Sequence, residues 1–290
     1  MNKKTILISF CLFFVFFSVL SSSSASDIAG NATLVGVDDN QNDLKAINTQ
    51  QELLKVSSGT FSQLNDIVTN DSIPSGGVIS LNSGYKYSDT DSGINGISIG
   101  KSITINGNGY TLDASSRSSI FNILGNSHVI LKNLTFANGY GDDGGAINVG
   151  AGSSIELIDC IFLNNTATNN GGAVFINSDS LTSDSLIKSS TFKDNTAANG
   201  GSIYVMSSTL NISASEFTDN IAKSYGGSLF VDGILHTSQT AFEGNRAYSG
   251  GAIYLNDTSK TNSTIENSTF NNCNAACDCG AVYISADIGQ

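Results

Sequence analysis

The stretch FTDNIAKSYGGSLFV, Phe217–Val231, decides the fold. A phenylalanine stands three places before an asparagine, a short polar loop leads to paired glycines, and a small residue then opens an aliphatic alternation, Leu229 and Val231. The same order of residue types returns across half of the chain. Phenylalanines fall at Phe136, Phe162, Phe192, Phe217, Phe242 and Phe270, from 25 to 30 residues apart. Asn165, Asn195, Asn220 and Asn245 follow three places later, with Asn138 two places after Phe136 and Cys273 in the last copy. Glycine pairs come next, Gly144-Gly145, Gly171-Gly172, Gly200-Gly201, Gly226-Gly227 and Gly250-Gly251, and the last copy reads Cys279-Gly280. A period of this length indicates stacked units that bury one another's apolar faces.

Aligning the copies on the second glycine exposes a strand. The next residue is small, and the residues two and four places on are aliphatic, from Ile147 and Val149 in the first copy to Val282 and Ile284 in the last. That is period two, the alternation of a strand with one buried face. A second strand lies before each phenylalanine, with Leu131, Leu157, Ile187, Ile212, Thr237 and Ile265 five places upstream. Each unit therefore carries at least two strands, yet its loops are too short for the crossover helices that parallel strands normally need. A coil removes the difficulty, because each strand meets its partner one full turn later, about 4.8 Å along the axis. The sequence predicts an all-β, right-handed parallel β-helix, right-handed being the default for parallel crossovers. In such a coil phenylalanine stacks on phenylalanine, asparagines form a ladder at a turn, and the paired glycines turn the backbone through positive φ.

Upstream of the repeats the chain divides further. Residues 1–26 pair Lys3 and Lys4 with an apolar run from Ile6 to Leu20 and a small-residue stretch, the pattern of a secretory signal peptide. Residues 27–58 read as a polar leader, and 59–290 as the β-helix with its N-terminal cap. In the cap, Thr60 and Gln63 match a capping box, while Phe61, Leu64, Ile67 and Val68 form a helical stripe that ends before Asn70 and Pro74. Short strand-like runs follow, among them GGVISL, KSITING and HVILKNLTF, punctuated by glycine, asparagine and serine.

Composition narrows the partners. The formal net charge is −12, more negative by two once Lys3 and Lys4 leave with the signal, which argues against nucleic acid and against anionic membrane surfaces. With 40% hydrophobic residues a core is feasible, and the mature chain is expected to insert in no membrane. Export makes glycosylation possible at the acceptor tripeptides of Asn31, Asn70, Asn133, Asn164, Asn211, Asn256, Asn262 and Asn267, wherever these face solvent.

Few residues suggest chemistry. Asp142 and Asp143 are the nearest approach to the paired aspartates of β-helix polysaccharide hydrolases, but neighbours on a strand point to opposite faces and no companion His or Arg motif appears. His128 and His236 lie in separate copies and read as strand or turn residues. Asp89 and Asp91 in YSDTDSG lack the spacing of a calcium loop, so no metal and no cofactor is expected. Cys160 occupies a slot held elsewhere by Leu134, Ser190, Ser215, Thr240 and Ser268, and reads as a buried thiol. Cys273, Cys277 and Cys279 fit no common zinc arrangement, and in an oxidising compartment a disulfide between Cys273 and Cys279 is the hypothesis for the last coil. Three places past the second glycine stand Asn148 and then Phe175, Tyr204, Phe230, Tyr254 and Tyr283, opposite the aliphatic pair. These five aromatics form a candidate ligand-binding column, suited to sugars or peptide.

The repeated motifs resemble the F-x-x-N and G-G-A-[I/L/V] repeats of polymorphic outer-membrane proteins, and still more those of the adhesin-like surface proteins of methanogenic archaea. The segment from Gly96 to Ile147 is similar to the start of the helix in the archaeal proteins, and the likeness extends over roughly residues 55–290. The resemblance implies a secreted or cell-surface β-helix that adheres, without catalysis, to a surface polysaccharide or protein of another cell or of the envelope. A polysaccharide lyase or glycoside hydrolase and a structural envelope component are the competing readings. The chain stops inside a strand pattern, GAVYISADIGQ, which suggests a short or truncated relative.

Overall fold

A computed structural model describes residues 57–177, 184–257 and 262–286, all within one compact unit, Ile47–Gln290. The signal peptide, Asn31 and nearly all of the leader lie outside the described residues. The chain winds into a parallel β-solenoid of about eight turns with one α-helix near its N-terminus. A complete coil carries four short strands. In one they are Ser154–Ile158, Ile161–Leu163, Thr166–Asn170 and Val174–Asn177, here faces 1 to 4. Faces 1, 2 and 4 belong to a 21-stranded sheet, and face 3 is a separate six-stranded sheet. Every strand pair described is parallel, and each joins a residue to its counterpart one coil on.

The corners explain the motif. Between faces 1 and 2 one residue takes positive φ, as at Asp159, Ser189 and Gln239; between faces 2 and 3 another does so, as at Asn164, Asp194 and Asp219. Between faces 3 and 4 the first glycine of each pair makes the turn, Gly144 at φ 66° and Gly226 at φ 64°. The second glycine is needed for a different reason from the one expected. Its backbone is not left-handed, but a Cβ on Gly172 would lie 2.1 Å from the carbonyl oxygen of Gly201, and one on Gly227 2.0 Å from that of Gly251. Successive coils approach so closely there that no side chain fits.

Inside the coil the phenylalanines stack as expected. Phe136, Phe162, Phe192, Phe217, Phe242 and Phe270 form one column with centroids 4.6 to 5.0 Å apart and planes within 11°. Beside them runs the amide ladder. Asn195 Nδ2 donates to Asn220 Oδ1 at 3.0 Å and to the Phe162 carbonyl at 3.2 Å, while Asn195 Oδ1 accepts from the Asn165 amide N–H and from Asn165 Nδ2. Asn165, Asn195, Asn220 and Asn245 are fully buried with their amides satisfied in this way. In the first copy the ladder slot falls to Gly139, whose N–H donates to Asn165 Oδ1; Asn138 sits one place earlier at positive φ and bonds Asp113. At the other end Asn245 Nδ2 donates to Cys273 Sγ at 3.8 Å.

Helix α1, Phe61–Val68, closes the N-terminal end, with the Thr60 and Gln63 capping box formed and Phe61, Leu64 and Val68 buried in the common core. Its first turn is also held by a residue from the coil. The buried carboxylate of Asp91 accepts from the Phe61 and Ser62 N–H groups, the Ser62 hydroxyl, and the Ser88 N–H and hydroxyl. Burial pushes its pKa up, but the hydrogen bonds from Ser62 and Ser88 outweigh that and hold it at about 2. The buried hydroxyls of Ser202, Ser228 and Thr237 have no partner among the described residues, and Thr237 occupies an inward slot held by aliphatics in other coils.

Three outcomes follow for stability. Asn195→Ala orphans the buried Asn165 N–H, breaks the amide ladder to Asn165 and Asn220, and lowers unfolding free energy by about 3–5 kcal/mol in urea titrations. Thr237→Val removes a hydroxyl without a partner and raises stability by about 1 kcal/mol in the same titration. Asp91 has a folded pKa below its ordinary 3.8, so its contribution is complete above that value and disappears as pH falls towards about 2. The melting temperature of Asp91→Asn should therefore start lower at neutral pH and fall less steeply across that window than that of the parent chain.

Candidate functional site

The sequence places five aromatics on the outward side of face 4, and the structure brings them together. Phe175, Tyr204, Phe230, Tyr254 and Tyr283 stand in register on successive coils, half-buried, with centroids 5.6, 4.5, 5.1 and 4.9 Å apart. Alternation fixes their direction, because Val174, Ile176, Ile203 and Val205 on either side are buried in the core. Asn122 and Asn148 continue the column towards the N-terminal end. The rings lie nearly parallel, within 24° of one another, so their faces rest on each other. Ring edges and tyrosine hydroxyls are what the column offers to solvent.

A second column runs alongside, across the glycine turn. The residue before each glycine pair is in register with its counterparts: Asp143, Asn170, Asn199, Tyr225, Ser249 and Asp278. Asn199 Nδ2 donates to Asn170 Oδ1 at 3.0 Å, and Asn170 Nδ2 to Asp143 Oδ1 at 2.9 Å. Tyr225 leans across to the aromatics, 4.7 Å from Tyr254 and tilted by 47°, and 40% of it is exposed, so its ring face is not stacked flat on the column. The two columns are electrostatically joined as well. Burial, then the carboxylates of Asp232 and Asp143, push the Tyr204 hydroxyl above its ordinary pKa and keep it a hydrogen-bond donor. Sequence reading missed the whole second column, although its position one place before the first glycine is constant.

The other candidates fall into structural roles or stand apart. Asp142 accepts from the Thr168 hydroxyl and Asp143 from Asn170, so each carboxylate is tied to its own neighbour one coil on. Asp91 anchors α1 and Asp89 pairs with Arg117. His128 bridges Ser154 at 2.8 Å and Glu156 at 3.2 Å on face 1. Those three residues have the order of a hydrolytic triad, but the nearby Ser154 and Ile155 N–H groups donate to Ser127 O and Ser185 Oγ, leaving neither to stabilise an oxyanion. Cys160 is buried and its thiol is pushed up to about 12 by burial, an unreactive group. Cys273 and Cys279 are free thiols here; Cys273 Sγ points to the Phe242 carbonyl, and Cys279 takes the left-handed turn normally held by glycine. Of the glycosylation acceptors, Asn70, Asn133, Asn164, Asn262 and Asn267 are exposed, whereas Asn211 and Asn256 are half-buried on strands.

Comparison with known proteins agrees with this architecture. The family model described as right handed beta helix region matches residues 118–287. No curated protein and no solved structure matches the chain. The coil seen in the structure and the match over more than half of the sequence together place this chain in the right-handed β-helix family.

Proposed function

We propose that the protein is an exported, cell-surface recognition protein, adhesin-like, that binds a surface glycan or protein along the corner between faces 3 and 4 and does so without catalysis. The observation that carries this reading is the pair of columns, one aromatic and one polar, running side by side over successive coils. Each is held in place by its own vertical contacts, so little side-chain entropy is lost when a partner docks. The tyrosine hydroxyls, the Asp143–Asn170–Asn199 amide and carboxylate groups and the tilted ring of Tyr225 supply hydrogen bonds and one exposed aromatic face. Such a surface suits an extended ligand that lies across several coils. The signal peptide read from residues 1–26 supports delivery outside the cell.

Substitution tests the proposal directly. Replacing Tyr204, Phe230 and Tyr254 together by serine should reduce binding to glycan arrays and to whole cells at least tenfold, with the β-sheet circular dichroism retained because the inner phenylalanine column is untouched. Binding that persists at parental strength in the triple variant would remove this surface from consideration.

A further inference from the structure

A groove of about 240 Å³ lies on the outward side of face 1, in the C-terminal half of the coil and apart from the corner described above. Two columns build it. Leu186, Asn211 and His236 stand in register in the first. In the second, Ser213 and Ser238 stand in register, preceded by Lys188 and followed by Glu266. Two short serines between two long side chains leave the depression.

The two histidines of the chain show why it stays open. Each has a hydroxyl residue opposite it one coil on and a glutamate two places further: Ser154 and Glu156 for His128, Thr264 and Glu266 for His236. At His128 the set is closed, with Nδ1 bonded to Ser154 and Nε2 at 3.2 Å from Glu156. At His236 only the Nδ1 contact to Thr264 is present, at 3.0 Å, and Glu266 forms no hydrogen bond to the ring. The register position held by Ile130 beside the closed set is held by Ser238 beside the open one. The smaller residue is one difference between them; Thr264 in place of Ser154, and Leu186 following Glu156 on the next coil, are others.

We infer that this groove is a binding site for a single neutral sugar residue. Its volume falls below the roughly 300–1,000 Å³ of drug-sized pockets, and equals about eight times the ~30 Å³ a water molecule occupies in the liquid, the size of one pyranose ring. The Asn211 amide, the Ser213 and Ser238 hydroxyls, His236 Nε2 and the Glu266 carboxylate make no side-chain hydrogen bond among the described residues. Together they supply both donors and acceptors, which is what a ring of hydroxyl groups requires. Leu186 gives an apolar wall for the C–H face of the sugar. Lys188 stands at the rim, one coil before Ser213, and is not among the lining residues, whereas the Glu266 carboxylate is, so phosphate, sulfate and uronate are disfavoured inside the groove. Asn211 also heads an acceptor tripeptide, and a glycan attached there would fill the same space.

The histidines make the test site-specific. The mature chain, produced in a host without N-glycosylation, is titrated with methyl glycosides of glucose, galactose, mannose and N-acetylglucosamine while the imidazole C–H resonances are followed by NMR. At least one glycoside should shift His236 saturably, with a Kd of about 1–10 mM, and leave His128 in place. Ser238→Leu, an outward change that fills the groove, should abolish the shift while the His128 resonances and the melting temperature are retained. A linear trisaccharide of the same sugar that binds more tightly marks a polysaccharide as the source of the residue; equal affinity marks a free or terminal sugar. An unmoved His236 with all four glycosides, or a shift that survives Ser238→Leu, overturns the assignment. The triple serine change in the aromatic column leaves the His236 response intact, so the two proposals fail independently.

Discussion

One spacing governs the molecule. Parallel strands sit about 4.8 Å apart, and in a coil this is also the distance from any side chain to its counterpart one turn later. Aromatic rings stack comfortably at that distance, as the 4.6 to 5.0 Å phenylalanine column shows. Side-chain amides at the same pitch bridge one another at 2.9 to 3.0 Å. The second glycine of each pair lets the backbones close to that pitch at the corner between faces 3 and 4, where a single Cβ would force the coils apart. Backbone ladder, ring stack and amide ladder therefore stand or fall together, and each reinforces a register that the others already specify.

Wherever a column repeats one residue type, the sequence made it legible. The inward phenylalanines, the aliphatic pairs after the glycines and the capping box of α1 all occupy the places that spacing and alternation assign to them. Face 3 was not legible. Its inward residues are small, Ala167, Ala197 and Ala222, and its outward residues change from coil to coil, Thr166, Thr196, Ile221 and Arg246 at one register position, so its strands carry no hydrophobic alternation against which to read a period. The corners between faces 1 and 2 escaped notice for a related reason. Their positive φ falls on Asp159, Ser189, Ala214 and Gln239, residues that share a backbone position and no side-chain character. Asn138 shows the opposite hazard, since an asparagine near the motif position proved to belong to the corner while Gly139 held the ladder slot.

The candidate surface divides along the same line. Its aromatic column could be read because the residues alternate strictly with buried aliphatics. Which part of each ring reaches solvent could not, because that depends on the packing of one ring against the next. The neighbouring column carries aspartate, asparagine, tyrosine and serine at one constant offset, and only the strand register reveals that these unlike residues are vertical neighbours.

These observations separate two kinds of column. Facing inward, close packing penalises any departure from the column's own residue, and the exceptions are costs: Thr237 buries a hydroxyl without a partner, and Cys273 ends the amide ladder with a weak acceptor. Facing outward, the backbone register is already fixed from within, so side chains are free to differ from coil to coil without disturbing the fold. The outward exceptions are accordingly where chemistry collects. Tyr225 breaks a run of asparagines and brings a tilted ring to the aromatic column, and two serines between Lys188 and Glu266 open the groove beside His236. In a solenoid of this kind the inner repeats specify the architecture, and the outward positions are left to set the surface that the coil presents.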